Sequence, residues 1–272
     1  MSTATETVRA RRPLFSVPDV RLRSAWRLWQ RNAAIYRRTY RLNILPNFFE
    51  PLFFLLAMGL GLGGYLGRMI QGVEYMDFIA PGLVATAAMY GTSFEVTFNC
   101  FVKMKFGKVY DGVIATPLTT EDVALGELLW GTTRALIYGL AFLVIATAFG
   151  VIHSWMALLA PVAVALIGMM FSVIGLAFTA VIPVIDYFTY YWTLFMTPMF
   201  LFSGIFFPVD SMPEWVEVLA WLMPLHHAVN LMRALMLTGD LRAAVLAAGW
   251  IAVVTAALFV LPLNLLHRRL VK

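Results

Sequence analysis

The chain has one cysteine, Cys100, so it can form neither an internal disulfide nor a multi-cysteine metal site. Charge is scarce as well. Asp, Glu, Lys and Arg make up 13% of the 272 residues, against about 25% in a soluble domain. No Gly-x-x-x-x-Gly-Lys-Ser/Thr segment occurs, and the glycines near residue 60 follow no soluble strand, which excludes a phosphate-binding loop here. There is no nucleophile constellation and no metal-ligand spacing. His226 and His227 are adjacent, so on a helix they point in different directions. The first 40 residues also lack the short apolar core and small-residue cleavage site of a signal peptide. No catalytic residue, metal or cofactor is expected in this chain.

Apolar residues are what it has, at 61%. Six runs are long enough to cross a bilayer, at about 48–66, 78–98, 123–151, 155–182, 187–207 and 243–266. The fold class is therefore an all-α integral membrane protein, with residues 42–272 as its transmembrane domain. The fifth run breaks at Ser203-Gly204-Ile205-Phe206-Phe207-Pro208-Val209-Asp210. Two apolar segments follow, Met212 to Met223 and Leu225 to Leu237, split by Pro224. Each is about a dozen residues where a crossing needs about 20. They are expected to be two short re-entrant helices on the outer side, with a capping box at Ser211-Met-Pro-Glu214 and a stop at Thr238-Gly239.

Half of the Lys and Arg residues precede residue 44. After a polar tail over 1–19, expected to be disordered, Leu22, Trp26, Trp29, Ala33, Tyr36 and Tyr40 recur at three- and four-residue steps. Arg23, Arg27, Arg31, Arg38 and Arg41 fall mostly on the other faces. This pattern predicts a basic amphipathic interface helix over 20–41, capped by Ser16 or Asp19, with Trp26, Trp29 and Tyr36 facing the membrane. Anionic lipid, rather than nucleic acid, is its expected partner. Sixteen Lys and Arg residues lie in the N-terminal region, the 103–122 segment and the C-terminus; Arg68, Arg233 and Arg242 lie on the opposite side. Both termini are therefore expected in the cytoplasm of a bacterial inner membrane.

Glu50, Glu95, Glu127 and Arg134 are the ionisable groups at membrane depth, where such groups are functional candidates or interfacial anchors. Glu127 and Arg134 share a helix face but stand about 10 Å apart, too far for a direct pair without bending or a bridging group. Tyr90, Phe94, Met196, Met199 and Phe200, with Glu50 and Glu95, are candidates for an amphiphile path. The segment Gly107 to Leu118 is too short for a domain and too apolar for a free linker. A cytoplasmic partner covering Val113, Ile114 and Leu118 would explain it, with Tyr110 also in the contact, Lys108 and Asp111 orienting it and Pro117 fixing the exit; the alternative is that the segment lies flat on the membrane.

Pro81-Gly82-Leu83, the Asp111–Leu118 segment, Thr197-Pro198 to Ser203-Gly204, Phe207-Pro208 and Met223-Pro224-Leu225 together carry a resemblance. From about residue 20 onward the chain resembles the membrane subunits of type-2 ATP-binding-cassette (ABC) exporters. Glu50-Pro51-Leu52, Gly59-Leu-Gly-Leu-Gly63 and Phe94-Glu95 look most like the nodulation-factor exporter permeases. The resemblance implies a homodimer served by two separate ATPase subunits, which would carry the ATP and Mg, with the substrate path between the halves. An amphiphile such as a lipid, glycolipid, lipo-oligosaccharide or hydrophobic drug would be the cargo. The rival readings are an ion-coupled carrier using Glu127 and Arg134, which the lack of an internal repeat disfavours, and a membrane scaffold without transport.

Overall fold

The computed structural model describes residues 20–57, 61, 69–70 and 72–271, without the side chains of residues 41–48, 50–51 and 69–70. The polar tail, the cap at Ser16 or Asp19, and most of the glycine-rich end of the first apolar run lie outside the described residues.

Helix α1 spans Leu22–Leu56 without a break. The interface helix and the start of the first apolar run, separate elements by sequence, are thus one helix. A two-residue antiparallel hairpin, β1 (Met69–Ile70) and β2 (Val73–Glu74), turns at Gly72 with φ +82°. Helix α2 (Tyr75–Phe94) continues through a π turn, Glu95–Asn99, into α3 (Cys100–Lys105). The second apolar run is therefore helical as far as Lys105, seven residues beyond its expected end. Short α4 (Val109–Ile114) follows, then α5 (Thr120–Ala148). Thr119 and Asp122 close a capping box at the start of α5, each accepting a backbone N–H from the other.

A turn at His153-Ser154 leads through a 3-10 segment into α6 (Ala160–Val181). Ser154 caps it by accepting the Met156 N–H at 3.2 Å. The fifth apolar run is helical over α7 (Phe188–Tyr190), a π turn at Tyr191–Met196, and α8 (Thr197–Phe202). The chain then bends at Gly204, φ +82°. Helices α9 (Glu214–Leu222) and α10 (Pro224–Arg233) follow, the latter extended by a π turn to Thr238 and stopped at Gly239, φ +66°. The two short helices and the Gly239 stop match the expectation. The Ser211 capping box does not form. Pro213 is the N-cap, and the Ser211 hydroxyl donates to the Pro208 carbonyl at 2.6 Å instead. Pro213 sits at φ −58°, ψ 147°, which is extended, so the helix cannot begin before Glu214 and Ser211 is out of reach. Helices α11 (Leu241–Leu258) and α12 (Val260–Leu270) complete the chain.

Among the described residues, three helical stretches are long and apolar enough to cross a membrane: Thr120–Ala148, Trp155–Val181 and Leu241–Leu270. Helix α5 lies at the centre, packed against α1, α2 and α6, while α10 packs on α2 and α11. Close approach depends on missing side chains. A Cβ on Gly131 of α5 would overlap Ser172 Oγ and sit 2.7 Å from Val96 Cγ1. Hydroxyls tie the helices at the same level. Thr92 donates to Ser172 Oγ at 3.1 Å, Ser172 donates to the Leu128 carbonyl at 3.1 Å, and Thr179 donates to the Val96 carbonyl in the first π turn at 2.8 Å.

At the other end of the bundle the sequence motifs meet. Ile205, just beyond the bend, packs on Gly82, where a Cβ would lie 3.0 Å from Ile205 Cγ2. Arg233 of α10 donates from Nη2 to the Gly204 carbonyl at 2.6 Å and lies 3.9 Å above the Phe78 ring. One half-buried arginine thereby fastens the α10 helix, the bend and the start of α2 together.

Candidate functional site

Three parts of the molecule carry chemistry beyond packing: a buried charge cluster, the 106–118 segment, and a strip of aromatic rings.

The cluster joins α1, the first π turn, α3 and α5. Glu95, Asn99 and Lys103 are spaced by four, so a helix places them on one face. Asn99 Nδ2 donates to Glu95 Oε2 at 2.7 Å, and Lys103 Nζ reaches Glu95 Oε1 at 2.9 Å. The same ammonium reaches Glu127 Oε2 at 2.8 Å. Arg134 Nε lies 3.5 Å from Glu95 Oε2, and its Nη2 donates to the Tyr138 hydroxyl at 3.1 Å. Asn32 of α1 donates to Glu127 Oε1 at 3.1 Å. Of the two ways to join Glu127 and Arg134, the structure uses bridging groups, Lys103 and Glu95. Sequence reasoning missed Lys103 by assigning it to a loop; its four-residue spacing from Asn99 and Glu95 was the available signal. Two acids and two bases make the set neutral, which keeps burial tolerable.

Helix α1 meets this cluster on a face the amphipathic pattern does not show. Ala25, Leu28 and Asn32 are buried against α5. Trp26, on the expected apolar stripe, is exposed and stacks on Trp29 at 4.2 Å. Trp29 also donates from Nε1 to Thr133 Oγ1 at 2.8 Å, and Tyr36 lies edge-on to Trp130. The helix thus has one face for protein and another that stays apolar and uncovered.

The 106–118 segment forms a small knob. Lys108 takes a left-handed conformation, φ 46°, and turns the chain into α4. Tyr110 is fully buried and hydrogen-bonds Cys100 Sγ at 3.2 Å. Of the residues expected to meet a partner, Tyr110 is therefore the one that faces inward, where it anchors the knob. Burial pushes its phenol well above the ordinary range near 10, so it stays protonated. Lys108, Asp111 and Pro117 are exposed, while Val113, Ile114 and Leu118 are half-buried.

Along α2 and the fifth apolar run the rings form a chain. Tyr90 stacks on Trp192 at 5.7 Å and touches Phe200 at 5.9 Å; Phe200 meets Phe206 at 5.1 Å and Phe54 at 6.4 Å. Toward the other end Phe98 joins Trp192 to Phe94. Tyr90 and Phe200 are half-buried and Phe94 is exposed, so these can face a ligand. Met196 and Met199 are buried in the core of this chain and do not reach its surface. The Glu50 side chain lies outside the described residues. His226 and His227 do diverge: their rings stand at 81°, one bonded to the Ser203 carbonyl and the other to that of Trp221.

The family model for the ABC-2 type transporter matches residues 23–237, which takes in α1, the charge cluster, the knob and both short helices. The chain belongs to the ABC-2 type transporter family. Within this family it is similar to Nodulation protein J of Rhizobium leguminosarum bv. viciae, at 35% identity over 246 residues, covering 90% of this chain and 94% of the relative. Nodulation protein J of Sinorhizobium fredii is 36% identical over 244 residues, covering 89% and 92%. The Inner membrane transport permease YadH of Escherichia coli is 22% identical over 205 residues, covering 75% and 78%. The chain is thus an ABC transporter permease related to the Nodulation protein J group, and a membrane protein. The ABC-2 permeases it resembles are the membrane subunits of transporters.

Proposed function

We propose that the chain is the permease half of an ATP-driven exporter, moving an amphiphile out of the cytoplasm or inner leaflet. Family membership over residues 23–237 carries this reading. In it, two copies pair in the bacterial inner membrane and two ATPase subunits supply ATP and Mg from the cytoplasm. The chain crosses six times, both termini are cytoplasmic, and α9 and α10 are re-entrant helices at the outer surface. The bias of Lys and Arg toward one side supports this orientation.

The knob at 106–118 is the contact for the ATPase in this account. Val113, Ile114 and Leu118 supply the buried area, and Lys108, Asp111 and Pro117 form its rim. Tyr110, locked inside, makes the knob rigid enough to transmit a push. The exposed side of the aromatic strip, with Tyr90, Phe94 and Phe200, faces the amphiphile between the two copies. Glu95 sits beside that strip but is engaged by Lys103 and Arg134, and so acts as a structural ion.

A cysteine labelling experiment tests the arrangement. A cysteine at Ser211 should react with an impermeant reagent added to intact cells, and one at Ala115 only after the membrane is opened. The reverse pattern would refute the orientation and the position of the ATPase contact with it.

A further inference from the structure

The charge cluster borders a cavity that none of the foregoing uses. It is about 530 Å³ in volume, within the range of small-molecule sites, and lies between α1, the first π turn with α3, and α5. Arg31, Tyr36, Glu95, Lys103 and Arg134 are among its lining residues. Two of these carry donors with no acceptor. Arg134 is 3% exposed, and its Nη1 is buried without a hydrogen-bond partner; so is the Tyr36 hydroxyl. The guanidinium carbon lies 4.6 Å from the Tyr36 ring centroid, so the two groups are neighbours. Elsewhere on the guanidinium, Nε lies 3.5 Å from Glu95 Oε2 as an ion pair without a hydrogen bond, and Nη2 donates to the Tyr138 hydroxyl. A buried donor left without an acceptor is costly, and two on one wall describe a place for an anion.

Charge fixes how negative that anion is. Lys103 and Arg134 are already balanced by Glu95 and Glu127. Among the lining residues Arg31 is the remaining cation, with its Nη1 donating to Asn32 Oδ1 at 3.2 Å. One added negative charge would therefore be matched, and two would not. The lining also supplies an apolar flank. Ile35 and Val102 line the cavity and are exposed, and Trp130 forms part of its wall. A polar recess with buried anion donors beside an apolar flank fits a headgroup with acyl chains attached.

We infer that this cavity binds the monoanionic phosphodiester headgroup of a membrane lipid, held by Arg134 Nη1 and the Tyr36 hydroxyl, with Arg31 as counter-charge. The bound lipid would pin α1 against α5. The inference does not depend on the direction or cargo of transport.

The test uses the full chain in nanodiscs of phosphatidylcholine containing a minor fraction of phosphatidylglycerol. After transfer to mild detergent, the lipids retained per copy are counted by native mass spectrometry. The wild type should keep one phosphatidylglycerol in preference to phosphatidylcholine. Tyr36→Phe, which removes one oxygen and keeps the ring, should weaken retention roughly tenfold. Arg134→Lys preserves the charge opposite Glu95 but loses the fork, and should abolish the preference. Arg31→Gln should weaken retention by roughly threefold, an effect that added salt would diminish. Equal retention by the wild type and Tyr36→Phe would overturn the inference, as would equal retention of the zwitterionic lipid. Displacement of the lipid by millimolar inorganic phosphate would show a free-phosphate site and overturn the lipid assignment.

Discussion

Lys103→Met removes the ammonium that joins two acids. Its Nζ lies 2.9 Å from Glu95 Oε1 and 2.8 Å from Glu127 Oε2, and Glu127 is fully buried. Without it, Arg134 at 3.5 Å partly balances Glu95, while Glu127 keeps the neutral Asn32 amide and Tyr110 hydroxyl but no cation within the cluster. Removing one partner of a buried ion pair costs about 3–5 kcal/mol because a charge is left unmatched. At roughly 2–4 °C per kcal/mol for a chain of this size, the melting temperature should fall by about 6–20 °C. Lys103→Met with Glu127→Gln restores neutrality and preserves the acceptor for Asn32 Nδ2. The double variant should therefore recover most of the loss, which separates lost charge balance from lost packing. Thermal unfolding of the purified chain in nanodiscs, followed by tryptophan fluorescence, measures both. A Lys103→Met protein that melts with the wild type, or a double variant worse than the single, would refute the bridging role.

Other outcomes follow from the same geometry. Ile114→Asp should abolish transport and reduce co-purification of the ATPase while membrane insertion stays normal, because it puts a charge into the apolar part of the proposed contact. Gly131→Ala should destabilise by about 1–3 kcal/mol, since Ser172 is held by Thr92 and the Leu128 carbonyl and cannot retreat from the new Cβ. Gly112→Ala, with nothing within 4 Å, is the neutral control in the same melting assay. Burial holds His226 and His227 below the ordinary value of 6.5, so their neutral forms suit the folded state. Their contribution is present above pH 6.5 and is lost as pH falls through the lowered folded values. Hydrogen exchange over residues 214–238 should therefore quicken on acidification, and His226→Gln with His227→Gln should flatten that response.

Apolar length made the third, fourth and sixth runs legible, and Pro224 and Gly239 marked the two short helices. Where proline acted on local geometry in an unexpected register, the sequence misled. Pro213 moved the start of α9 past Ser211, so a capping-box spacing was present without a capping box. Continuity was the harder property to see. Helix α1 runs through what read as a boundary, and the π turn at Glu95–Asn99 carries the α2 helix on to Lys105. A lysine beyond the end of an apolar run reads as solvated; helical extension instead brings it beneath two carboxylates. The second face of α1 was hidden because alanine, leucine and asparagine make a weak stripe beside tryptophans and tyrosines. Tyr110 could not be oriented by sequence, because burial in so short a helix depends on what packs against it.

Whether ATP drives export through this chain can be measured in inside-out membrane vesicles. Vesicles containing this chain and its ATPase are loaded with fluorescent amphiphiles on the outer face, and accumulation is followed with and without ATP. Accumulation should require ATP, stop when the phosphate-loop lysine of the ATPase is replaced, and persist when ion gradients are collapsed. Accumulation that follows an ion gradient and ignores ATP would contradict ATP-driven export.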